Sequence, residues 1–595
     1  MPVASSAPQP TDPAPVRPST NPHPRRILVA LLAITLLGLA LRVRGLSESL
    51  WLDELHTGWV ISADGETLAA RARCGNQSPC YFILEQACDR LIQRGCQWIG
   101  NAQFPYAQEW SLRFLSLLAS SCLPWATYQL ARQLGISPTL ALLAPLLTTL
   151  DPQFIFYAQE ARCYALVQLV AVLHLSFSLA RWPQPRSERT AGRLRCTIQR
   201  VVWIMSAILL FYLHYLTLLL LVVNSAWLLL GQLLGQWRSC QEESAPSIAA
   251  DWQTKRPAAA ACTPTALVVD LLIVALGVIA GSDHLVAVAA RRQNWLRFLP
   301  HTSWQSVWDW RSYLVAPLLV AGIFYSVRWV RQQVRRSRLK PGAAVPDRGE
   351  NMMNASTSRP MLFLTFYVLS CTYLPLLVAV VAYELALGPP LLFRYVIASA
   401  TILPLTATLL AAWSPSLLSR GMVAVTAMGF LVSGCYPVQE LLTGQPPAPQ
   451  RGEDWRGLCR ELDEQLRALP PTAAQPIILL CPALVEDWQL SRATPALVDF
   501  CRFPLRSRYS LPLADSSIWP LPTIDAPRLT PEQATSLAAH LHAGHPVTLI
   551  VRGDEAIADQ VEADLRSSLA PHDIQIQSTR APRFAGLIVA TWQLR

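Results

Sequence analysis

The sequence predicts a polytopic α-helical membrane protein that carries a small α/β domain at its C-terminal end. Three observations predict it. Only 15% of the 595 residues are charged and 52% are hydrophobic, whereas soluble domains are about one quarter charged. Apolar runs long enough to cross a bilayer core of ~30 Å recur between residues 27 and 436. Beyond residue 436 the chain turns polar, with mixed helical and strand periods.

Residues 1–24 are rich in Pro, Ser, Ala and Thr and read as a disordered cytoplasmic tail. Arg25-Arg26 precede the apolar run Ile27–Leu41. Arg42-Val43-Arg44 follow it where a signal peptide would have small residues for cleavage, so the run reads as a retained first span. Further runs lie at roughly 111–131, 138–156, 163–181, 201–213, 215–234, 265–281, 313–327, 360–383, 395–413 and 420–436. With the first they make about eleven transmembrane helices within residues 25–436. The pair around His214-Tyr215 is short, and fits two tilted or broken helices or one helix with a re-entrant piece.

Charge sets the orientation. With the N-terminus in the cytoplasm, the Arg-rich loops 181–200 and 328–340 and the loop 235–264 all fall inside, as the positive-inside rule requires. The loops 47–110, 151–162, 282–312 and 384–394 then lie outside, as does the tail 437–595. In that tail Glu453–Leu469 reads as an amphipathic helix and Glu555–Leu569 as a second helix. Pro476–Leu480, Pro546–Val551 and Ala585–Trp592 read as strands, giving an extracytoplasmic α/β domain. The expected location is the cytoplasmic (inner) membrane.

The net charge of +10 comes mostly from Arg in short loops between apolar runs, which argues against nucleic acid as the partner. Four of the 14 Cys, namely Cys74, Cys80, Cys88 and Cys96, crowd into the first external loop and could form up to two disulfides by three pairings. The sequence has no P-loop, no G-x-G-x-x-G fingerprint and no G-x-S-x-G elbow, so chemistry on a bound cytoplasmic nucleotide is not indicated.

The candidate polar groups gather on the external side. Asp53-Glu54 follow Trp51 just beyond the first span. A carboxylate at a low-dielectric boundary has a raised pKa, which suits a general base, and could equally meet a metal or a substrate cation. A hydrated loop is the plainer alternative. Glu160 and Arg162 lie in Tyr157–Tyr164 between two apolar runs. The planar guanidinium of Arg162 suits a phosphate, and a Glu160–Arg162 pair holding the loop is the structural alternative. His214-Tyr215 and Phe393-Arg394-Tyr395 sit at external helix mouths. Arg394 fits a second phosphate contact or a snorkelling flank residue. The basic stretch Arg291-Arg292-Gln293-Asn294-Trp295 fits an anionic lipid headgroup or a surface helix.

In order, these pieces resemble the membrane glycosyltransferases of the GT-C superfamily, in particular the protein O-mannosyltransferase-like (family 39) branch that includes lipid A aminoarabinose transferases. Ser49-Leu50-Trp51-Leu52-Asp53-Glu54 resembles the segment after that family's first helix. Asn76-Gln77-Ser78-Pro79-Cys80-Tyr81 resembles its His-Pro-Pro-Leu-Tyr element, with Asn76-Gln77 where the family has His. Glu109-Trp110-Ser111-Leu112-Arg113 resembles its Glu-x-x-x-Arg element, and Tyr157–Tyr164 its Tyr-x-x-Glu-x-Arg-x-Tyr loop.

The resemblance implies a GT-C-like bundle that transfers a sugar from a polyprenyl-phosphate donor to a glycan, lipid or protein acceptor at the external face. It implies Asp53 and Glu54 as catalytic carboxylates. Arg162, Arg394, Glu160 and Tyr164 would lie near the donor phosphate. Asn76, Gln77, Tyr81, His214, Tyr215 and Tyr395 would be substrate contacts. No cofactor is required by these motifs, and a divalent metal is left open. The rival functions are a transporter or flippase for a lipid-linked substrate, and a membrane sensor without catalysis.

Overall fold

A computed structural model describes residues 24–98, 106–181, 193–244, 264–290, 348–384, 393–413, 451–470 and 475–595, with short breaks at 485, 493, 525–527 and 582–583 and scattered positions between 420 and 429. The run 313–327, most of the run 420–436 and the stretch 291–295 lie outside these residues.

The chain begins with α1 (Pro24–Val43). The external loop of the sequence reading is itself helical, forming α2 (Leu52–Ile61), α3 (Gly65–Cys74) and α4 (Pro79–Trp98). There follow α5 (Ala107–Gln133), α6 (Pro138–Ala141), α7 (Leu143–Leu150), α8 (Pro152–Ala158), α9 (Tyr164–Ala180), α10 (Arg193–Leu213), α11 (Leu218–Ser244), α12 (Pro264–Ile279), α13 (Ser282–Ala290), α14 (Arg348–Glu384), α15 (Ile397–Ala400) and α16 (Leu403–Trp413). Helix α5 packs on α1, α4, α7 and α9.

Among the described residues four stretches are long and apolar enough to span a membrane: Pro24–Ser47, Cys196–Leu213, Tyr215–Leu234 and Phe363–Ala382. The segments Pro138–Leu150 and Pro152–Ala158, bent by 59°, make a fifth if counted as one span. The bend falls at Asp151-Pro152, where the Asp151 carboxylate caps α8 by accepting from the Gln153 and Phe154 amides. Tyr164–Ala180, Thr265–Ile279 and Ile397–Ala412 are shorter apolar helices. The two runs around His214 are thus two helices, joined by a short turn. Large apolar side chains on the outer faces, such as Leu36 and Leu276, stay exposed, as lipid-facing residues do.

Inside the bundle the polar groups close on one another. Asn224 donates to His174 Nε2 (3.0 Å) and Ser178 Oγ (2.9 Å) and accepts from the Tyr367 hydroxyl (2.8 Å). His174 Nδ1 then carries the proton and donates to Ser206 Oγ (2.9 Å). This circuit ties α9, α10, α11 and α14 together without leaving an amide unpaired. Arg181 and Arg200 both pair with buried Asp270.

Cys80 and Cys88 are free thiols, so the disulfide expectation fails for these two; the side chain of Cys96 lies outside the described residues.

The C-terminal segment forms α17 (Trp455–Ala468), β1 (Ile477–Cys481), α18 (Pro495–Arg502), β2 (Ile518–Pro520), α19 (Pro531–His542), β3 (Val547–Arg552), α20 (Glu555–Leu569), β4 (Ile576–Arg580) and β5 (Leu587–Leu594). The strands make one sheet in the order β2-β1-β3-β5-β4, with β1 parallel to β2 and β3. Alternate residues of β1 and β3 serve opposite cores. Leu479, Cys481, Leu549 and Val551 pack with Leu537 and Leu541 of α19 and Val561 and Leu565 of α20. Ile478, Leu480 and Ile550 face Leu458 of α17 and Phe500 of α18. That second core runs on without a break into Trp59 of α2 and Phe82 of α4, so the domain is docked on the helical part through apolar contact.

One buried acid in this domain yields a prediction. Asp487 is fully buried and accepts from the Leu484 amide (3.2 Å), the Thr523 amide (3.1 Å) and the Thr523 hydroxyl. Burial raises its pKa to about 7, against the pull of these donors. Between the unfolded value and about 7 the folded chain holds a proton that the unfolded chain has lost. Stability should therefore be greatest at acid pH and fall as pH rises towards 7, by about 1 kcal/mol per unit. Thermal unfolding of the detergent-solubilised chain at pH 4.5–7.5 should show this slope, and Asp487→Asn should flatten it. Equal slopes in the two proteins would remove Asp487 as the cause.

Candidate active site

The site is organised by the amino end of α2. Its first turn has Trp51 at the N-cap, a residue with no oxygen to offer the free helix amides. A carboxylate from the C-terminal segment takes that place. Glu453 accepts from the Leu52 amide (2.9 Å) and the Trp455 indole (2.7 Å) through Oε2, and from Arg552 (2.8 Å) through Oε1. A negative charge at a helix N-terminus is stabilising.

Consecutive residues on a helix point about 100° apart, and Asp53 and Glu54 diverge accordingly. Asp53, with 29% of its side chain exposed, faces a cavity of about 990 Å³. Its Oδ2 lies 3.3 Å from Arg394 Nη1 and 3.7 Å from Arg162 Nη2. Burial would raise the Asp53 pKa, but Arg162 and Arg394 overcome it and hold the carboxyl below the ordinary carboxylate value. The raised pKa expected from the sequence is therefore corrected: the two guanidiniums outweigh desolvation.

Glu54 turns inwards and leaves the cavity wall. It is fully buried, paired with Arg113 through Oε1–Nε (2.7 Å) and Oε2–Nη2 (2.5 Å), and accepts from the Ala161 amide (2.9 Å). Arg113 also donates to the carbonyls of Gly45, Leu46, Glu48 and Ser49. Arg451 approaches Glu54 at 3.6 Å, pairs with Glu48 (3.1 Å) and donates to the Gln159 carbonyl (2.6 Å). Glu54 is an anchor, and the sequence expectation of a catalytic carboxylate there does not fit its surroundings.

The other expected residues divide. Gln77 and Arg162 line the cavity, and the Gln77 carbonyl oxygen fits 2.9 and 2.5 Å from the two terminal nitrogens of Arg162. Among the described residues the wall does not include Glu160, Tyr164, His214, Tyr215, Tyr395, Asn76 or Tyr81. Glu160 is buried behind Arg162, and burial raises its pKa to about 8. Tyr164, His214 and Tyr395 form a row of rings with centroids 5.9 and 6.2 Å apart. Tyr215 packs on Phe211. Asn76, at a left-handed φ of 57°, donates to Glu486 (3.4 Å). Tyr81 donates to buried Glu85 (3.2 Å).

Residues that the sequence reading missed complete the wall: His56, Arg451, Glu453, Arg528 and Arg552. His56 sits among Trp59, Phe82, Phe500 and Phe503, and burial lowers its pKa to about 3, so it is neutral at ordinary pH. Gly75 lies so close to this ring that a Cβ would fall 2.4 Å from it. Among the described residues no group of three or more His, Cys, Asp or Glu could hold a metal ion.

No family model matches the chain, and neither does any curated protein. Solved structures do. Over 95% of its length the chain is similar to ArnT from Cupriavidus metallidurans in the apo state, covering 98% of that chain at 13% identity and a TM-score of 0.46. The same protein bound to undecaprenyl phosphate is matched over 96% of this chain and 98% of that one, at 13% identity and a TM-score of 0.45. The archaeal oligosaccharyltransferase AglB from Archaeoglobus fulgidus, in complex with an inhibitory peptide and a dolichol-phosphate, is matched over 94% of this chain and 74% of that one, at 12% identity and a TM-score of 0.40.

Proposed function

We propose that the chain is a glycosyltransferase that moves a sugar from a polyprenyl-phosphate-linked donor to an acceptor at the external face of the cytoplasmic membrane, with residues 437–595 outside. The observation that carries this reading is the meeting of Asp53, Arg162 and Arg394, from three distant parts of the chain, in one cavity.

The charges suit that reaction. Two guanidiniums and one carboxylate leave one positive charge, which the single negative charge of a phosphodiester donor neutralises. In transfer, the acceptor oxygen bonds to the anomeric carbon and the bond from that carbon to the phosphate oxygen breaks. The electron pair stays on the phosphate, and the acceptor proton passes to Asp53. The phosphate gains a negative charge as Asp53 loses one, so the site is neutral before and after. Arg162 and Arg394 stabilise the charge that grows on the leaving phosphate. As they turn to the donor, Asp53 loses their field, and burial raises its pKa towards that of a useful base. Donor binding would in this way prepare the base.

The test is transfer from labelled polyprenyl-phosphate sugars in membranes that contain the chain. Arg394→Ala should raise the donor KM about 10–100-fold, the loss of a charged hydrogen bond. An unchanged donor KM would take Arg394 out of the phosphate site. Failure of every polyprenyl-phosphate sugar to yield product would remove the reading itself.

A further inference from the structure

The cavity has a second wall, built by the C-terminal domain. Many of its residues there lie at or just beyond the carboxyl ends of the three parallel strands. Ala483, Leu484 and Glu486 follow β1, Thr523 and Ile524 follow β2, and Gly553 and Asp554 follow Arg552, the last residue of β3. Gln560 of α20 stands behind them.

This is the place where open α/β sheets bind ligands. In the order β2-β1-β3, the chain leaves β1 in one direction and returns to its other side at β3. Helix α18, after β1, packs on one face of the sheet, and α20, after β3, packs on the other. The two loops therefore part between β1 and β3 and leave a crevice at a topological switch point. Gly553, at φ 144°, keeps the β3 end of that crevice free of a side chain.

The guanidiniums of this wall are already paired within the protein, and its carboxylates accept hydrogen bonds. Arg552 is paired with Glu453 (2.8 Å) and Arg528 with Asp564 (2.9 Å). The Asp554 carboxylate caps α20 by accepting from the Ile557 amide (3.0 Å), and Glu486 accepts from Asn76. An anionic ligand would find no unpaired guanidinium in these contacts, in contrast to the surplus positive charge beside Asp53. What remains is a rim rich in hydrogen-bonding carboxylate, guanidinium and amide groups, with the rings of Trp51, Phe500 and Phe503 between it and the bundle. Such a mixture suits a neutral molecule dense in hydroxyl groups.

We infer that the crevice at the carboxyl ends of β1, β2 and β3 is a subsite for a neutral carbohydrate acceptor, whose hydroxyl it presents across the cavity to Asp53. The inference rests on the glycosyltransferase reading and adds the acceptor class and the residues that select it. The position of the crevice gives a two-sided site. The wall with surplus positive charge takes the donor phosphate, and the opposite wall, rich in hydrogen-bonding groups with its guanidiniums paired, takes the sugar acceptor.

The test uses the full chain in lipid nanodiscs, with intrinsic Trp fluorescence as readout. Undecaprenyl phosphate is titrated in one arm, and mannobiose, lactose and maltose in the other, each up to about 10 mM, ten times the dissociation constant of a weak ~4 kcal/mol interaction. At least one disaccharide should saturate. Gln560→Ala, at an exposed helix position that tolerates truncation, and Gly553→Val should each weaken it about tenfold or more. Neither should change the binding of undecaprenyl phosphate, whereas Arg394→Ala should weaken the lipid and spare the disaccharide. Lipid binding without any saturable disaccharide would overturn the acceptor subsite and leave the donor reading standing, as would saturation that ignores both variants. Saturation by a Ser/Thr-rich peptide alone would overturn the carbohydrate class. Lipid binding indifferent to Arg394→Ala would strike the donor reading instead.

Discussion

Asp53→Asn should lower sugar transfer by about 10²–10⁴-fold, the usual weight of a general base, while the protein folds as before. The two halves of this expectation have separate grounds. The side chain is 29% exposed on a cavity wall, and an Asn oxygen can still accept from Arg394 at the present 3.3 Å. The fold therefore loses little. The chemistry loses the proton acceptor and the charge that balances the growing phosphate negative charge. Donor KM should change much less than kcat, because the neutral amide leaves both guanidiniums for the phosphate. Transfer from labelled lipid-linked sugar, measured on protein of matched unfolding temperature, decides the matter. Undiminished kcat would end the assignment of Asp53.

The neighbouring substitution should behave in the opposite way. Glu54→Gln is expected to destabilise the chain by about 3–5 kcal/mol, the cost of leaving one member of a buried pair alone. Arg113 has no exposed surface and is held by both Glu54 oxygens and four backbone carbonyls. With a neutral partner its charge stays buried with half its compensation gone. Arg113→Lys should cost nearly as much, since an ammonium lacks the planar fork that spans these acceptors. Size-exclusion profiles and thermal unfolding in detergent read the effect directly. A Glu54→Gln protein as stable as the wild type, yet inactive, would restore Glu54 to the chemistry.

The contrast explains what could be read from the sequence. Asp53 and Glu54 are adjacent and chemically alike, so composition and spacing gave them the same role. Only the helical turn between them separates the two fates. Leu52–Ile61 is buried on almost every side, so it carries no apolar stripe to betray the helix. Arg162 and Arg394 were legible because cations beside apolar runs are costly and stand out. His56 and Glu453 were not, because what defines them lies at Phe500, Phe503 and Leu52, hundreds of residues away.

The C-terminal domain follows the same logic. The strands β1 and β3 are covered on both faces; β1 reads as an unbroken apolar run, and β3 holds the run Leu549-Ile550-Val551. The strand β2 has three residues, and the edge strand β4 is mostly polar, Gln577-Ser578-Thr579. Neither offers a period long enough to detect. Helix α17, with its buried Trp455, Leu458, Cys459 and Leu462, was legible from its spacing alone.

The bond between the Leu52 amide and Glu453 also has a meaning in time. Its partners are 401 residues apart. A ribosome adding about 5–20 residues per second makes the first of them some 20–80 seconds before the second. Through that interval the newborn α2 lacks its cap. The cavity in front of Asp53 thus gains its second wall only when the C-terminal domain has emerged and docked.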